Sequence, residues 1–146
     1  MKRIFDKIED NINDSEIIQD IEREKCNDPK FDINSGCDGN NWTLLMDTVE
    51  HGREELVRYL LSVPSIDVNT TSIYYYTALH FCRQLSILKL LLNRKDLDVN
   101  IQNYYGQTGL HILCTFRYKT LVRELLLDAR IDVLLDVGGK RPKIKH

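Results

Sequence analysis

The sequence predicts an all-α protein, a solenoid of stacked helix-turn-helix units forming one domain. Two observations predict it. First, a threonine-led block recurs: Thr43, Thr77 and Thr108 lie about 34 and then about 31 residues apart, a period that marks stacked two-helix repeats. Second, each period carries apolar residues at i, i+1, i+4 and i+5, which form one face of a helix. A lone hairpin cannot bury such a face, but neighbours stacked side by side can.

Residues 1–36 read as a degenerate leading repeat made of two capping helices. Phe5, Ile8 and Ile12 fall on one helical face, and Asn13 followed by Glu16 suits a capping box that opens a second helix with Ile17, Ile18 and Ile21. Pro29-Lys30-Phe31-Asp32-Ile33-Asn34 then anticipates Pro64-Ser65-Ile66-Asp67-Val68-Asn69. This segment holds most of the acidic excess, as the polar outer face of a cap requires, and its charges are expected to be solvated.

The first full repeat, 37–70, runs through Trp42-Thr43-Leu44-Leu45-Met46 to the apolar face of Leu56, Val57, Leu60 and Leu61. The second, 71–101, has Tyr76-Thr77-Ala78-Leu79-His80, then Ile87, Leu88, Leu91 and Leu92, then Leu97-Asp98-Val99-Asn100. The third, 102–135, has Gln107-Thr108-Gly109-Leu110-His111, then Leu121, Val122, Leu125 and Leu126, then Ile131-Asp132-Val133-Leu134. Gly139-Lys140-Arg141-Pro142 resembles the start of another repeat with Arg141 in place of threonine, so 136–146 is expected to be a short cap or frayed tail.

These residues resemble the ankyrin family, whose pattern is T-P-L-H, a glycine-containing turn, V-x-x-L-L and then D-V-N. The resemblance covers roughly Cys37 to Leu134 and implies an ankyrin-repeat α-solenoid, with antiparallel helix pairs and short β-hairpin fingers between repeats. Several positions depart from the pattern. The proline after each threonine is replaced by Leu44, Ala78 and Gly109, and glycine in a helix costs about 1 kcal/mol relative to alanine. Repeat two passes from Arg83-Gln84 straight to Leu85-Ser86, where repeat one has Glu50-His51-Gly52-Arg53-Glu54, so its first helix or its turn must be shorter. The family's glycine two places before threonine is Asn41, Tyr75 or Gly106; a left-handed tyrosine there is strained by about 1–2 kcal/mol. Arg117 stands where repeat one has Gly52. Repeat two is therefore the expected weak link, with modest overall stability.

A net charge of −2 and a pI near 6.1 give no general basic field for nucleic acid or an anionic membrane surface. No apolar run approaches the roughly 20 residues of a membrane span, and the N-terminus lacks the apolar core of a secretory signal. An intracellular, cytoplasmic protein is expected. Lys140, Arg141, Lys143 and Lys145 leave the nucleus open if that basic tail is a localisation signal rather than a solvated terminus. Cys26, Cys37, Cys82 and Cys114 form no CxxC pair and read as free thiols.

Chemistry finds little support. His80 with Cys82 and His111 with Cys114 invite a zinc reading, which needs four ligands converging on one point. The ankyrin resemblance implies instead that each histidine bonds to its threonine and nearby backbone, while the cysteines fill small-residue sites facing the core. His51 and His146 read as solvated. No Cys or Ser sits with a base and an orienting acid, and Val137-Gly138-Gly139-Lys140-Arg141 lacks phosphate-loop spacing. The expectation is no enzyme, no cofactor and no metal.

Aromatic residues carry the functional signal. Aligned on threonine, the finger positions that line the family's concave binding surface are Gly39, Asn40 and Trp42; Ile73, Tyr74 and Tyr76; and Tyr104, Tyr105 and Gln107. The matching first-helix positions are Glu50 and His51, Gln84, and Thr115 and Phe116. Tyr and Trp are enriched at interface hot spots. The expected site is therefore Asn40, Trp42, His51, Ile73, Tyr74, Tyr76, Gln84, Tyr104, Tyr105, Gln107 and Phe116, gripping another protein. For Trp42 and Tyr76 the alternative is packing against their own finger. One version of this reading is a pathogen or viral protein mimicking host ankyrin proteins, in keeping with a chain rich in Ile, Asn and Tyr. The alternatives are a self-associating scaffold, joined end to end through Leu134, Leu135 and Val137, a non-catalytic subunit, or an enzyme with a cryptic site. A monomer is preferred, with a groove and no deep pocket of converging titratable groups.

Overall fold

The computed structural model describes residues 1–135; the sequence readings at 136–146, including the basic tail, the cap and Val137, lie outside the described residues. Eight helices fill the described chain: α1 (Lys2–Glu9), α2 (Asp14–Asn27), α3 (Leu44–Glu50), α4 (Glu54–Ser62), α5 (Ala78–Phe81), α6 (Leu85–Leu92), α7 (Gly109–Thr115) and α8 (Lys119–Leu126). They pair as four hairpins. The first helices α1, α3, α5 and α7 stack in one layer and the second helices α2, α4, α6 and α8 in the other. The apolar faces meet between layers: Ile17, Ile21, Leu56, Leu60, Ile87, Leu88, Leu91 and Leu125 are all fully buried. In each of the three repeats the i+5 residue (Leu61, Leu92, Leu126) is less buried than the rest of its stripe, because it lies at the edge of the contact face. Ile12 falls beyond α1 and Ile4 takes its place in the core.

Threonines start the first helices. Thr43 accepts a bond from the Met46 amide, and Thr77 and Thr108 form capping boxes with His80 and His111. At the N-terminal cap the expected box is only half formed. Asn13 caps α2 through the Ser15 amide, while Glu16 pairs with Lys7 across the hairpin at 2.7 Å. The deletion in repeat two is taken from its first helix: α5 has 4 residues where α3 and α7 have 7. Gly109 has a positive reason to be glycine, since a Cβ there would sit 3.0 Å from Leu79 Cγ on the neighbouring α5.

The expected β-hairpin fingers are turns. No strand occurs among the described residues, and the sole bridge joins Gly36 to Thr43. Each finger is closed across its base by a backbone bond (Cys37 N–H to Trp42 O, Ser72 N–H to Tyr76 O, Asn103 N–H to Gln107 O), with one turn bond inside it (Asn41 N–H to Asp38 O, Tyr75 N–H to Ser72 O, Gly106 N–H to Asn103 O). Five or six residues per finger leave no room for a ladder. The turns reverse at Asn41 (φ 54°), Tyr75 (φ 62°) and Gly106 (φ 78°), all left-handed as aligned. Arg117 (φ 59°) likewise copies Gly52 (φ 66°).

At the opposite edge the D-V-N asparagines link repeats. Asn34 donates to Ser65 O and accepts from the Asp67 amide, both at 2.8 Å. Asn69 does the same with Asp96 O and the Asp98 amide, and Asn100 with Arg130 O and the Asp132 amide. One side-chain amide thus satisfies a donor and an acceptor of the next repeat. Leu134 occupies the next rung and cannot do so.

Candidate functional site

The fingers are joined edge to edge. Ile73 N–H donates to Asn40 O at 3.0 Å and Tyr104 N–H to Tyr74 O at 2.9 Å, so adjacent tips are held in register. This places Tyr74 edge-on to Tyr104 (ring centroids 6.3 Å) and Tyr104 edge-on to Tyr105 (5.4 Å). Tyr74 is 53% exposed and Tyr105 59%, with Ile73 exposed beside them. Such edge-to-face stacks hold rings rigid while leaving their outer faces available to a partner.

Trp42 and Tyr76 sit deeper. Both rings pack on Phe81 at the end of α5, at 4.6 and 5.4 Å, and Tyr76 also meets His80 at 5.5 Å. Trp42 therefore bridges from its own finger to the next repeat. Gln107 is half-buried: its carbonyl accepts from Asn103 N–H and from His80 Nε2, and its side-chain oxygen from Asn103. Gln84 folds its amide over Gly52, within 2.1 Å of where a Cβ would stand. Phe116 is 63% exposed and, with Tyr118, flanks the Arg83 guanidinium at 5.7 Å. Asn40 is exposed at its finger tip.

The histidines do what the resemblance implies. His80 Nδ1 accepts from the Thr77 amide at 3.0 Å, and Nε2 donates to Gln107 O at 3.0 Å, tying α5 to the next finger. Burial drives the His80 pKa down to about 4, so the ring is neutral at pH 7. The cysteines divide. Cys82 is buried, which raises its thiol to about 11, but Cys114 is exposed rather than core-facing. The alignment puts Cys114 at an inward site, yet no further first helix follows α7 among the described residues to cover it.

His51 is not simply solvated, and a pocket of titratable groups exists where only a groove is expected. Between α1 and α3 lies an open pocket of roughly 650 Å³, lined by Phe5, Glu9, Trp42, Asp47, Glu50 and His51 among others. His51 Nδ1 donates to Asp47 O at 2.9 Å, and Trp42 Nε1 donates to Asp47 Oδ1 at 3.1 Å. Asp47 is buried, which raises its carboxyl pKa against the pull of the Trp42 bond and His51. Its Oδ2 has no hydrogen-bond partner among the described residues. Ligand atoms of Asp47, Glu50 and His51 lie within 4.8 Å of one another. Sequence spacing hints at this set, since positions 47, 50 and 51 share a helix face, but Asp47 aligns with a core position and its exposure to α1 is a tertiary fact.

Stacked two-helix units with linked finger turns define the chain as a helical-repeat protein. The ankyrin-repeat family model matches residues 74–104, from the finger of repeat two into that of repeat three, so the chain contains an ankyrin repeat there. No curated protein matches it. Ankyrin repeats are, in general, protein-interaction modules. No described helix is long and apolar enough to cross a membrane.

Proposed function

We propose that this protein is a non-catalytic binding module that holds a partner protein against its finger and first-helix face. The observation that carries the reading is the Tyr74–Tyr104–Tyr105 stack, rigidified by the Tyr104–Tyr74 backbone bond yet exposed at both ends. Rigid aromatic area loses little entropy on binding, which is why such residues dominate interface energetics. In this reading Ile73 and Phe116, both exposed, add apolar area to the partner contact, and Trp42 and Tyr76, packed on Phe81, brace the fingers. A reducing compartment fits the four free cysteines.

The test is calorimetric titration of a purified partner with Tyr74→Ala, Tyr104→Ala and Tyr105→Ala proteins. Each is expected to lose about 2 kcal/mol of binding with the helical signal unchanged. Full affinity in all three would falsify this placement.

A second reading is favoured by a separate observation. Leu127 is 77% and Leu134 87% exposed at the α8 end, with Leu126 and Val133 beside them. Apolar residues gathered at one end of a stack suit end-to-end self-association. Sedimentation at two concentrations decides it: a concentration-independent monomer rejects self-association and leaves the partner-binding module.

A further inference from the structure

Resting on the same face, we propose that the pocket between α1 and α3 receives an arginine side chain of the partner protein. The pocket's charge is one-sided. Asp6 and Glu9 on α1, Asp38 in the first finger, and Asp47 and Glu50 on α3 face a single basic residue, Lys2, with His51 beside them. Asp6, Glu9, Asp38 and Glu50 are exposed, and together with Asp47 they give the pocket a negative field that favours a cation.

The second observation is the Asp47 carboxylate itself. Its side chain is 7% exposed in the pocket wall, Oδ1 is held by the Trp42 indole, and Oδ2 is buried without a hydrogen-bond partner among the described residues. A buried carboxylate oxygen left unsatisfied carries a desolvation penalty, which a donor from a partner that reaches it removes. The local hydrogen bonds also fix the carboxylate's direction before anything binds.

Arginine fits better than a small ion or a lysine. The metal-like set of Asp47, Glu50 and His51 comes from one helix end, so ligands approach from one side, and His51 Nδ1 is already committed to Asp47 O. The remaining carboxylates rim the pocket more widely. A guanidinium spreads five N–H donors over such a rim and lays its flat face on aromatic walls, here Trp42 and Phe5; an ammonium offers a compact point charge.

The chain's single tryptophan, Trp42, reports on the pocket directly. The experiment follows Trp42 fluorescence during titration of the full chain with a blocked Ala-Arg-Ala tripeptide, its neutral citrulline counterpart and zinc chloride. The arginine peptide is expected to give a saturable change, at least about tenfold stronger than the citrulline peptide. Asp47→Asn should weaken it by a similar factor with an unchanged circular dichroism spectrum. Glu50→Gln, at an exposed position, carries the same test should Asp47→Asn fail to fold. Tyr104→Ala should leave peptide binding intact, which separates this pocket from the tyrosine stack. The proposal is overturned by the absence of saturation, by equal binding of citrulline, by wild-type affinity in the folded carboxylate variants, or by a zinc response that arginine neither reproduces nor displaces. Each of those results leaves the tyrosine-based reading standing.

Discussion

Arg53, at the start of α4, closes on Asp14, at the start of α2, with Nε 2.7 Å and Nη2 2.5 Å from the same carboxylate oxygen. Its guanidinium also donates to the Ile8 and Ile12 carbonyls, where the chain leaves α1, and Asp14 Oδ2 accepts the Leu56 amide. One ion pair therefore staples the leading hairpin to repeat one. Both side chains are mostly buried. Removing one partner strands the other, so Arg53→Ala should cost about 2–4 kcal/mol in urea unfolding. Hydrogen exchange should place the loss first in α1 and α2. A change below about 0.5 kcal/mol would mean the pair is solvated in practice.

Arg117 holds a left-handed backbone with an exposed side chain, whereas repeat one uses glycine at the same site. Arg117→Gly should raise stability by about 0.5–1 kcal/mol, because relieved strain exceeds the extra unfolded-state entropy. Tyr75→Gly, at a half-buried position, should gain less, since packing is lost as strain is removed. Thermal melts of the two variants give the order, and a more stable Tyr75→Gly would reverse it.

His80 titrates in the unfolded chain near its ordinary 6.5 but in the folded protein near 4, because burial disfavours the imidazolium. The folded pKa is depressed, so this contribution is full above about pH 6.5 and is lost as pH falls toward 4. Between pH 7 and pH 5 it amounts to roughly 2 kcal/mol. The wild type should lose more stability over that window than His80→Gln, measured by denaturant midpoints at each pH. Parallel losses in the two proteins would assign the acid sensitivity elsewhere.

The thiols should react in a definite order. Cys26 and Cys114 are exposed and should label at once with a disulfide reagent, Cys37 more slowly, and Cys82 only on unfolding. Burial raises both the Cys37 and the Cys82 thiol and so lowers their thiolate fractions. Mass mapping of labelled peptides over time checks the order; early modification of Cys82 would show that α5 opens readily.

Much of the fold is written locally. The threonine caps, the paired apolar positions such as Leu56 and Leu60, and the left-handed sites at Asn41, Tyr75 and Gly106 are set by side-chain size, period and backbone sterics. Each requires only a few neighbouring residues, so each is legible in one dimension. The aligned register also places Tyr74, Tyr104 and Tyr105 on successive fingers.

What sequence could not supply is what meets across repeats. Asn34, Asn69 and Asn100 read as a motif, and stacking turns them into bridges between units. Cys114 lies exposed because nothing described covers that end of the stack, although its spacing matches an inward position. Asp47 shares its helix face with Glu50 and His51 by spacing alone, yet its burial against α1 and its unsatisfied oxygen depend on a hairpin thirty residues or so upstream. Local period fixes which way a side chain points, whereas its surroundings and charge environment are decided only when distant hairpins close around it.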